Sequence, residues 1–401
     1  MAPALNPDAA AAAVHGACEP RFEGLRDALA EIMAAGTEVG VALAVYVDKE
    51  PVVDLWAGHA DAARTRPWAR DTLVNLFSVG KAISAVCLLR LVEAGRVDLD
   101  APVARYWSEF AQAGKGQVPV RYLLTHQVGL PAVARVLPPE AWRDWTLMTE
   151  ALAAQAPWWE PGTGHGYHVN TQGFLIGEMI RRVTRQSLGA YFREHLAGPA
   201  GIDWHWGLGP EHDARCADYL PPPPSPERDE FERRLTGGGD GGALEGLALM
   251  RFHAYRNPPG LPGMRIVNTR AWRAAEVPST NGHGTARAIA RLYSALATDG
   301  RLDGVHVLAP ETLTRAIAEQ VNGPDIVLER PTRYGLGFQL TMPERRLGPG
   351  PRAFGHFGAG GSLAFADPDA RVAFGYAMNQ GRPGWQHRHV RQLVDLVYAA
   401  L

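Results

Sequence analysis

The sequence predicts an α/β protein of the α+β kind, in which an antiparallel sheet built from both ends of the chain is flanked by terminal helices and carries an inserted, mostly helical domain. Three observations predict it. Strand-like alternation or short apolar runs occupy both ends of the sequence, and helical periodicity fills the middle. The 401 residues, 46% of them hydrophobic, suffice to bury a large core in two connected domains. Residues 1–76 and 300–401 are assigned to the sheet domain and residues 77–299 to the helical one, with the functional site at their junction.

Taken in order, residues 23–35 have an amphipathic helical pattern. Two apolar runs over 39–47 and 52–56, separated by Asp48-Lys49-Glu50-Pro51, read as a hairpin. Helical stretches follow over 78–94, 120–124, 171–184, 188–196, 244–255 and 285–298, broken by Pro/Gly loops. Residues 220–234, with four consecutive prolines from Pro221, read as an exposed loop. Strands are expected over 334–342, 362–366 and 371–378, the last two joined by an Asp367-Pro368-Asp369 turn, and a closing helix over 386–400. There is no internal repeat.

The net charge of −2, with basic residues spread rather than blocked, argues against a nucleic-acid or anionic-membrane partner and favours a small neutral one. Three cysteines, Cys18, Cys87 and Cys216, lie far apart without a C-x-x-C pair, so a reducing compartment and no disulfide framework are expected. Residues 1–20 are alanine-rich but lack a basic segment ahead of an apolar core, and no run of eighteen apolar residues occurs. A cytoplasmic protein is the expectation.

Chemistry enters at Ser78-Val79-Gly80-Lys81. Of 40 basic side chains only Lys49, Lys81 and Lys115 are lysine, and eight serines with three lysines would give about 0.06 S-x-x-K matches by chance. Arginine stays protonated at any working pH, whereas a buried lysine can lose its proton and then accept one from a serine. The predicted helix over 78–94 opens at Ser78, and residues i and i+3 share a face, so the Lys81 amine can approach the Ser78 hydroxyl. Unbonded N–H groups of the first turn point toward developing negative charge. Such a segment can supply a nucleophile, a proton acceptor and part of an oxyanion site. The plainer reading is a serine-capped helix with a surface lysine.

A tyrosine can relay the proton to a leaving group. Tyr167 ends the loop Trp159-Glu160-Pro161-Gly162-Thr163-Gly164-His165-Gly166, although taken alone it reads more readily as a packing aromatic. Near the far end, Gly355-His356-Phe357-Gly358-Ala359-Gly360-Gly361-Ser362 is either a glycine-rich turn or a backbone that comes close to a ligand and offers it an N–H.

Read together, these segments resemble the serine hydrolases of the class C β-lactamase fold, which comprise β-lactamases, D-Ala-D-Ala peptidases and, most similar, the family VIII carboxylesterases. Ser78-Val79-Gly80-Lys81 resembles the first motif, Tyr167 the tyrosine of the second, and His356-Phe357-Gly358 the third. Leu123-Leu124-Thr125-His126-Gln127-Val128-Gly129-Leu130-Pro131 and Pro161-Gly162-Thr163 are also similar to segments of that group. The resemblance implies that Ser78 is acylated, that Lys81 and Tyr167 share general base and acid work, and that the Ser78 and Ala359 N–H groups form the oxyanion hole. Gln127, Asn170, His356 and Gly358 are candidate substrate-binding residues, Trp158 and Trp159 beside Tyr167 read either as the wall of an acyl or alcohol pocket or, at least as readily, as core packing, and no cofactor or metal is expected. Two departures stand out. The second motif is Tyr-x-Asn in the lactamases, but here Asn170 comes one position late. Their third motif begins with a lysine that can hold a carboxylate, but here it begins with His356, mostly neutral near pH 7. Both favour uncharged esters over carboxylated β-lactams and peptides.

Other signals have plainer readings. Gly360-Gly361-Ser362-Leu363-Ala364 approaches the hydrolase elbow, but Ser362 is expected to open a strand rather than precede a helix. The G-x-G-x-x-G match over 237–242 lacks a preceding buried strand and reads as a flexible loop. The pairs His165/His168 and His387/His389 have no H-E-x-x-H context, so no metal site is expected. Lys49 and Lys115 read as solvated. A serine esterase cleaving short-chain esters is the first reading. An amide-cleaving or acyl-transferring enzyme with the same nucleophile is the second, and a non-enzymatic binding module the third.

Overall fold

The computed structural model describes residues 13–238, 242, 244–261, 266–384 and 386–401. Both ends of the chain meet in one antiparallel sheet of nine strands: β1 (His15–Cys18), β2 (Gly40–Val47), β3 (Glu50–Gly58), β4 (Val321–Pro324), β5 (Pro331–Tyr334), β6 (Gln339–Leu340), β7 (Phe354–Phe357), β8 (Leu363–Asp367) and β9 (Val372–Met378). The order across the sheet is β1, β3, β2, β9, β8, β7, β6, β5, β4, so N- and C-terminal strands meet where β2 pairs with β9, from Val41↔Met378 to Val47↔Val372. The predicted hairpin turns at Asp48 and Lys49, both left-handed with φ of 50° and 72°. The single strand expected over 334–342 is instead split into β5 and β6. A side chain at Gly335 would lie 2.1 Å from the Ala316 carbonyl oxygen, and Gly337 has φ of 86°, so the backbone leaves the sheet between them.

Helices cover both faces. Successive strand residues point to opposite sides. On β9, Gly375 faces helix Ala286–Leu296, where a Cβ would come 2.4 Å from the Ala286 carbonyl oxygen. The next residue, Tyr376, faces His389 on the C-terminal helix Arg388–Ala399, which packs with helix Glu23–Ala34. The helix Ala286–Leu296 belongs in sequence to residues 77–299 yet lies on β2, β8 and β9.

The helix carrying the S-x-x-K pair, Val79–Glu93, is buried around nearly its whole circumference, packing on Thr171–Thr184 and on β7. A helix apolar on every side belongs in a core, so this one is held from all directions. Its stop is Gly95, left-handed at φ 65°. Several expectations need correction. Residues 220–234 are not simply a loop: Pro226–Thr236 forms a helix, N-capped by Ser225 onto the Arg228 N–H at 3.2 Å and ended by left-handed Gly237. The helix Trp145–Ala154, capped by Asp144, had no clear periodicity. Lys115 is not solvated but fully buried, its Nζ donating to the carbonyls of Gln112, Ala153 and Gln155 at 2.7, 2.9 and 2.7 Å. Lys49 pairs with Asp299 at 2.8 Å. The glycine match over 237–242 includes residues 239–241, and the N-terminal reading includes residues 1–12; both lie partly outside the described residues. Among the described residues no helix is long and apolar enough to cross a membrane.

Candidate active site

Ser78 sits at the N-cap of the helix Val79–Glu93, and the residue before it, Phe77, is held left-handed at φ 48°. A non-glycine residue there is strained, and the Phe77 ring is held edge-on against Tyr219, centroids 4.8 Å apart. The N–H groups of Val79, Gly80 and Lys81 close short turns onto Leu76, Phe77 and Ser78 carbonyls. The Ser78 N–H, one residue before them, has no place in that ladder.

Lys81 is completely buried, and desolvation pulls its pKa well below the ordinary lysine value of 10.5. Its Nζ lies 3.2 Å from Ser78 Oγ, 2.6 Å from the Val169 carbonyl oxygen and 3.0 Å from the Ser279 carbonyl oxygen. A neutral amine has two hydrogens and one lone pair. The two carbonyls can only accept, so they take both hydrogens and leave the lone pair for the Ser78 hydroxyl proton. Ser279 was not anticipated from sequence. It lies in a turn over 277–281 fixed by Asn281, whose side chain accepts from the Val277 N–H and donates to the Trp272 and Ala275 carbonyls.

Tyr167 is 1% exposed, with its ring 4.8 Å from Lys81 Nζ. Burial raises the pKa of its phenol, keeping it protonated, while interaction with the Ser78 side chain works in the opposite direction. The four residues from Tyr167 are tied down one after another. The Tyr167 N–H meets both carboxylate oxygens of Asp325, and the His168 N–H donates to His126 Nδ1 at 3.1 Å. The Val169 carbonyl accepts from Lys81, and Asn170 Nδ2 donates to the Ala254 carbonyl at 2.9 Å. Asn170 is therefore engaged with the helix Gly246–Arg256. Its Oδ1 is buried with no hydrogen-bond partner among the described residues.

The third segment approaches from the sheet. His356, on β7, is buried with its ring 6.0 Å from that of Tyr167 and its Nδ1 against the Phe357 carbonyl at 2.6 Å. Desolvation pushes its pKa down to about 3, so it is a neutral ring. With Nδ1–H donating to the carbonyl, Nε2 is left as an acceptor. Ala359 starts a one-turn 3-10 helix, where its N–H has no intrahelical partner. Gly358 makes the close approach possible, since a Cβ would lie 2.0 Å from Ser362 Oγ and 2.5 Å from the Leu76 carbonyl oxygen. Ser362 Oγ donates to that same Leu76 carbonyl at 3.2 Å, fastening the Ala359 turn to the segment that leads into Ser78.

Around the tyrosine lies an apolar cluster of Ala132, Val169, Met250, Ala254, Val327 and Tyr334, with Trp158 and Trp159 packed on it. The Trp158 Nε1–H donates to the Ala132 carbonyl at 2.9 Å. The Gln127 side chain accepts from Thr125 Oγ1 at 2.8 Å, bracing its loop. His165 and His168, weighed above as metal ligands, hydrogen-bond to Thr332 and to the Gly166 carbonyl at 2.8 and 2.6 Å. Among the described residues no group of three or more His, Cys, Asp or Glu side chains is arranged to hold a metal.

This fold agrees with comparison to known proteins. The family model described as beta-lactamase matches residues 25–399, so the chain belongs to the β-lactamase family, and it is a serine hydrolase of the esterase/β-lactamase-like kind. It is 35% identical over 377 residues to the esterase/beta-lactamase LipL of Mycobacterium tuberculosis, covering 92% of this chain and 83% of that one. Among solved structures it is similar to a family VIII carboxylesterase, with TM-score 0.86 and 39% identity over 97% of this chain and 100% of the other. A penicillin-binding protein homologue from Caulobacter crescentus gives TM-score 0.87 and 37% identity, again over 97% and 100%.

Proposed function

We propose that the protein is a serine carboxylesterase that hydrolyses short-chain, uncharged carboxylic esters through an acyl-enzyme on Ser78. The observation that carries this reading is the Lys81 amine, dehydrated and 3.2 Å from Ser78 Oγ, with two carbonyls occupying its hydrogens. In this scheme Ser78 Oγ attacks the ester carbonyl carbon as its proton passes to Lys81. The N–H groups of Ser78 and Ala359 take the developing oxyanion. The Tyr167/Lys81 pair returns the proton to the departing alkoxide as the carbon–oxygen bond breaks. Water, deprotonated by the same pair, then releases the acid. Gln127, Trp158, Trp159, Asn170, His356 and Gly358 are proposed to border the substrate. A neutral His356, in place of a cation, supports a preference for esters without a carboxylate, and the resemblance to the family VIII carboxylesterase supports ester chemistry.

Hydrolysis of a β-lactam by the same serine is the second reading, favoured by the dual esterase/beta-lactamase name of the Mycobacterium tuberculosis relative. Comparing kcat/KM for a p-nitrophenyl short-chain ester and a chromogenic cephalosporin separates the two. The ester is expected to lead by about 100-fold or more, the discrimination available where a carboxylate finds no cation. A cephalosporin turned over faster than any ester would reverse the assignment.

A further inference from the structure

The Tyr167 backbone is held by a carboxylate that no sequence motif marks. Asp325, 2% exposed, follows directly on β4. Its Oδ1 accepts from the N–H groups of Tyr167, Val327 and Leu328 at 3.0, 2.9 and 2.8 Å. Its Oδ2 accepts from the Tyr167 N–H at 3.1 Å and from the Thr332 hydroxyl at 3.1 Å. With its proton given to Asp325, Thr332 Oγ1 accepts from His165 Nε2 at 2.8 Å. Next to these contacts the Ile326 N–H donates to the His165 carbonyl at 3.0 Å. The hydrogen bonds therefore form a closed ring that leaves the 165–167 loop at His165, crosses Thr332 and Asp325, and returns at Tyr167.

The chemistry of the ring favours a carboxylate. In this arrangement each group facing the Asp325 side chain donates to it, and two acceptor oxygens take them all. On the faces of the Tyr167 ring lie the aromatic rings of His126 and Tyr334, 5.0 and 6.4 Å away, centroid to centroid. Such contacts fill space without fixing how far the ring slides along their faces. The Asp325 hydrogen bonds add a directional restraint on the backbone.

We propose that Asp325 is a positioning residue for the esterase reaction, setting through the Tyr167 N–H where the phenol stands relative to Ser78. The proposal rests on the Ser78 acyl-enzyme reading. Displacing a reacting group by about 1 Å costs about 100-fold in rate even when binding is intact. Truncation in Asp325→Ala should therefore lower kcat, counted per serine labelled to completion by a fluorophosphonate, by about 100-fold, with KM within about threefold. Asp325→Asn keeps an oxygen for the three N–H groups at Oδ1. Its amide can donate to a Thr332 hydroxyl turned round to accept, so the loss should be no more than about fivefold.

The experiment measures kcat per labelled site for wild type, Asp325→Ala, Asp325→Asn and Thr332→Val. The last removes one support of Oδ2 while preserving shape, and about a 3–10-fold fall in kcat is expected. A purely structural carboxylate would lower the number of labelled sites or the melting temperature in Asp325→Ala while leaving kcat per site at the wild-type value. That result overturns the proposal. If Asp325→Ala yields no folded protein, an unchanged kcat in Thr332→Val overturns it instead. A wild-type enzyme that neither labels at Ser78 nor hydrolyses esters would remove the esterase reading and this inference together. Normal wild-type turnover with unaffected variants would remove this inference alone.

Discussion

Two buried lysines in one chain show how the partner set decides what a lysine can do. Lys115 faces three carbonyl oxygens, each able only to accept, so it needs three hydrogens and a charge; burial lowers its pKa to about 8, which still leaves it protonated at neutral pH. Lys81 faces two carbonyls and a hydroxyl, and a hydroxyl can donate. Only the second arrangement stays satisfied when the amine is neutral. The pH dependence follows with a definite sign. The pKa of Lys81 is depressed, so the neutral, proton-accepting form appears on raising the pH well before the ordinary lysine value of 10.5. For an uncharged ester, kcat/KM should rise with pH and reach its plateau well below 10.5. A pH profile still climbing at that value would contradict a desolvated base. Lys81→Arg keeps the charge but cannot accept the proton, and kcat should fall by about 1000-fold or more. Near-normal turnover in that variant would exclude Lys81 as the base.

At the scale of elements, the site is assembled where a helix start, a loop and a strand end converge. The helix Val79–Glu93 and the Tyr167 loop were legible because their signals are local: an i, i+3 pair at a helix start, and a Pro/Gly run ahead of a well-patterned helix that forms over Thr171–Thr184 as expected. Ser279, Asn281, Asp325 and Thr332 were not. Ser279 acts through its own carbonyl on a lysine distant in sequence, Asp325 through the Tyr167 N–H, Thr332 through the Asp325 carboxylate, and Asn281 by shaping the turn that holds Ser279; a buried carboxylate that accepts from N–H groups leaves no periodicity to read. The turn after β7 lies between these cases, since its glycines announced a close approach without saying to what. The contact is with the Leu76 carbonyl and Ser362, so Gly358→Ala should wedge the Ala359 N–H away from Ser78. Loss of one oxyanion donor costs about 100–1000-fold in kcat. A loss of that size is expected by steady-state assay on folded protein, and a variant with wild-type kcat would show that the turn plays no part in the oxyanion site.

At the scale of the molecule, joining both chain ends in one sheet was readable because apolar runs with turn signals sit only at the extremes of the sequence. The path within the sheet was less so. The break between β5 and β6 depends on Gly335 meeting the Ala316 carbonyl, and the helical 226–236 segment looked like a loop because charged residues and a proline run gave it no apolar stripe. That architecture leaves the S-x-x-K helix surrounded by protein, which dehydrates Lys81, and closes β7, with His356, against it. The esterase chemistry proposed for the site requires that Ser78 be the residue that becomes covalently modified. Peptide mapping by mass spectrometry after reaction with a fluorophosphonate tests this most directly. A single adduct on Ser78 is expected in the wild type, absent in Ser78→Ala and formed far more slowly in Lys81→Arg. An adduct on Ser362 or any other residue, or wild-type protein that hydrolyses esters without modification of Ser78, would contradict it.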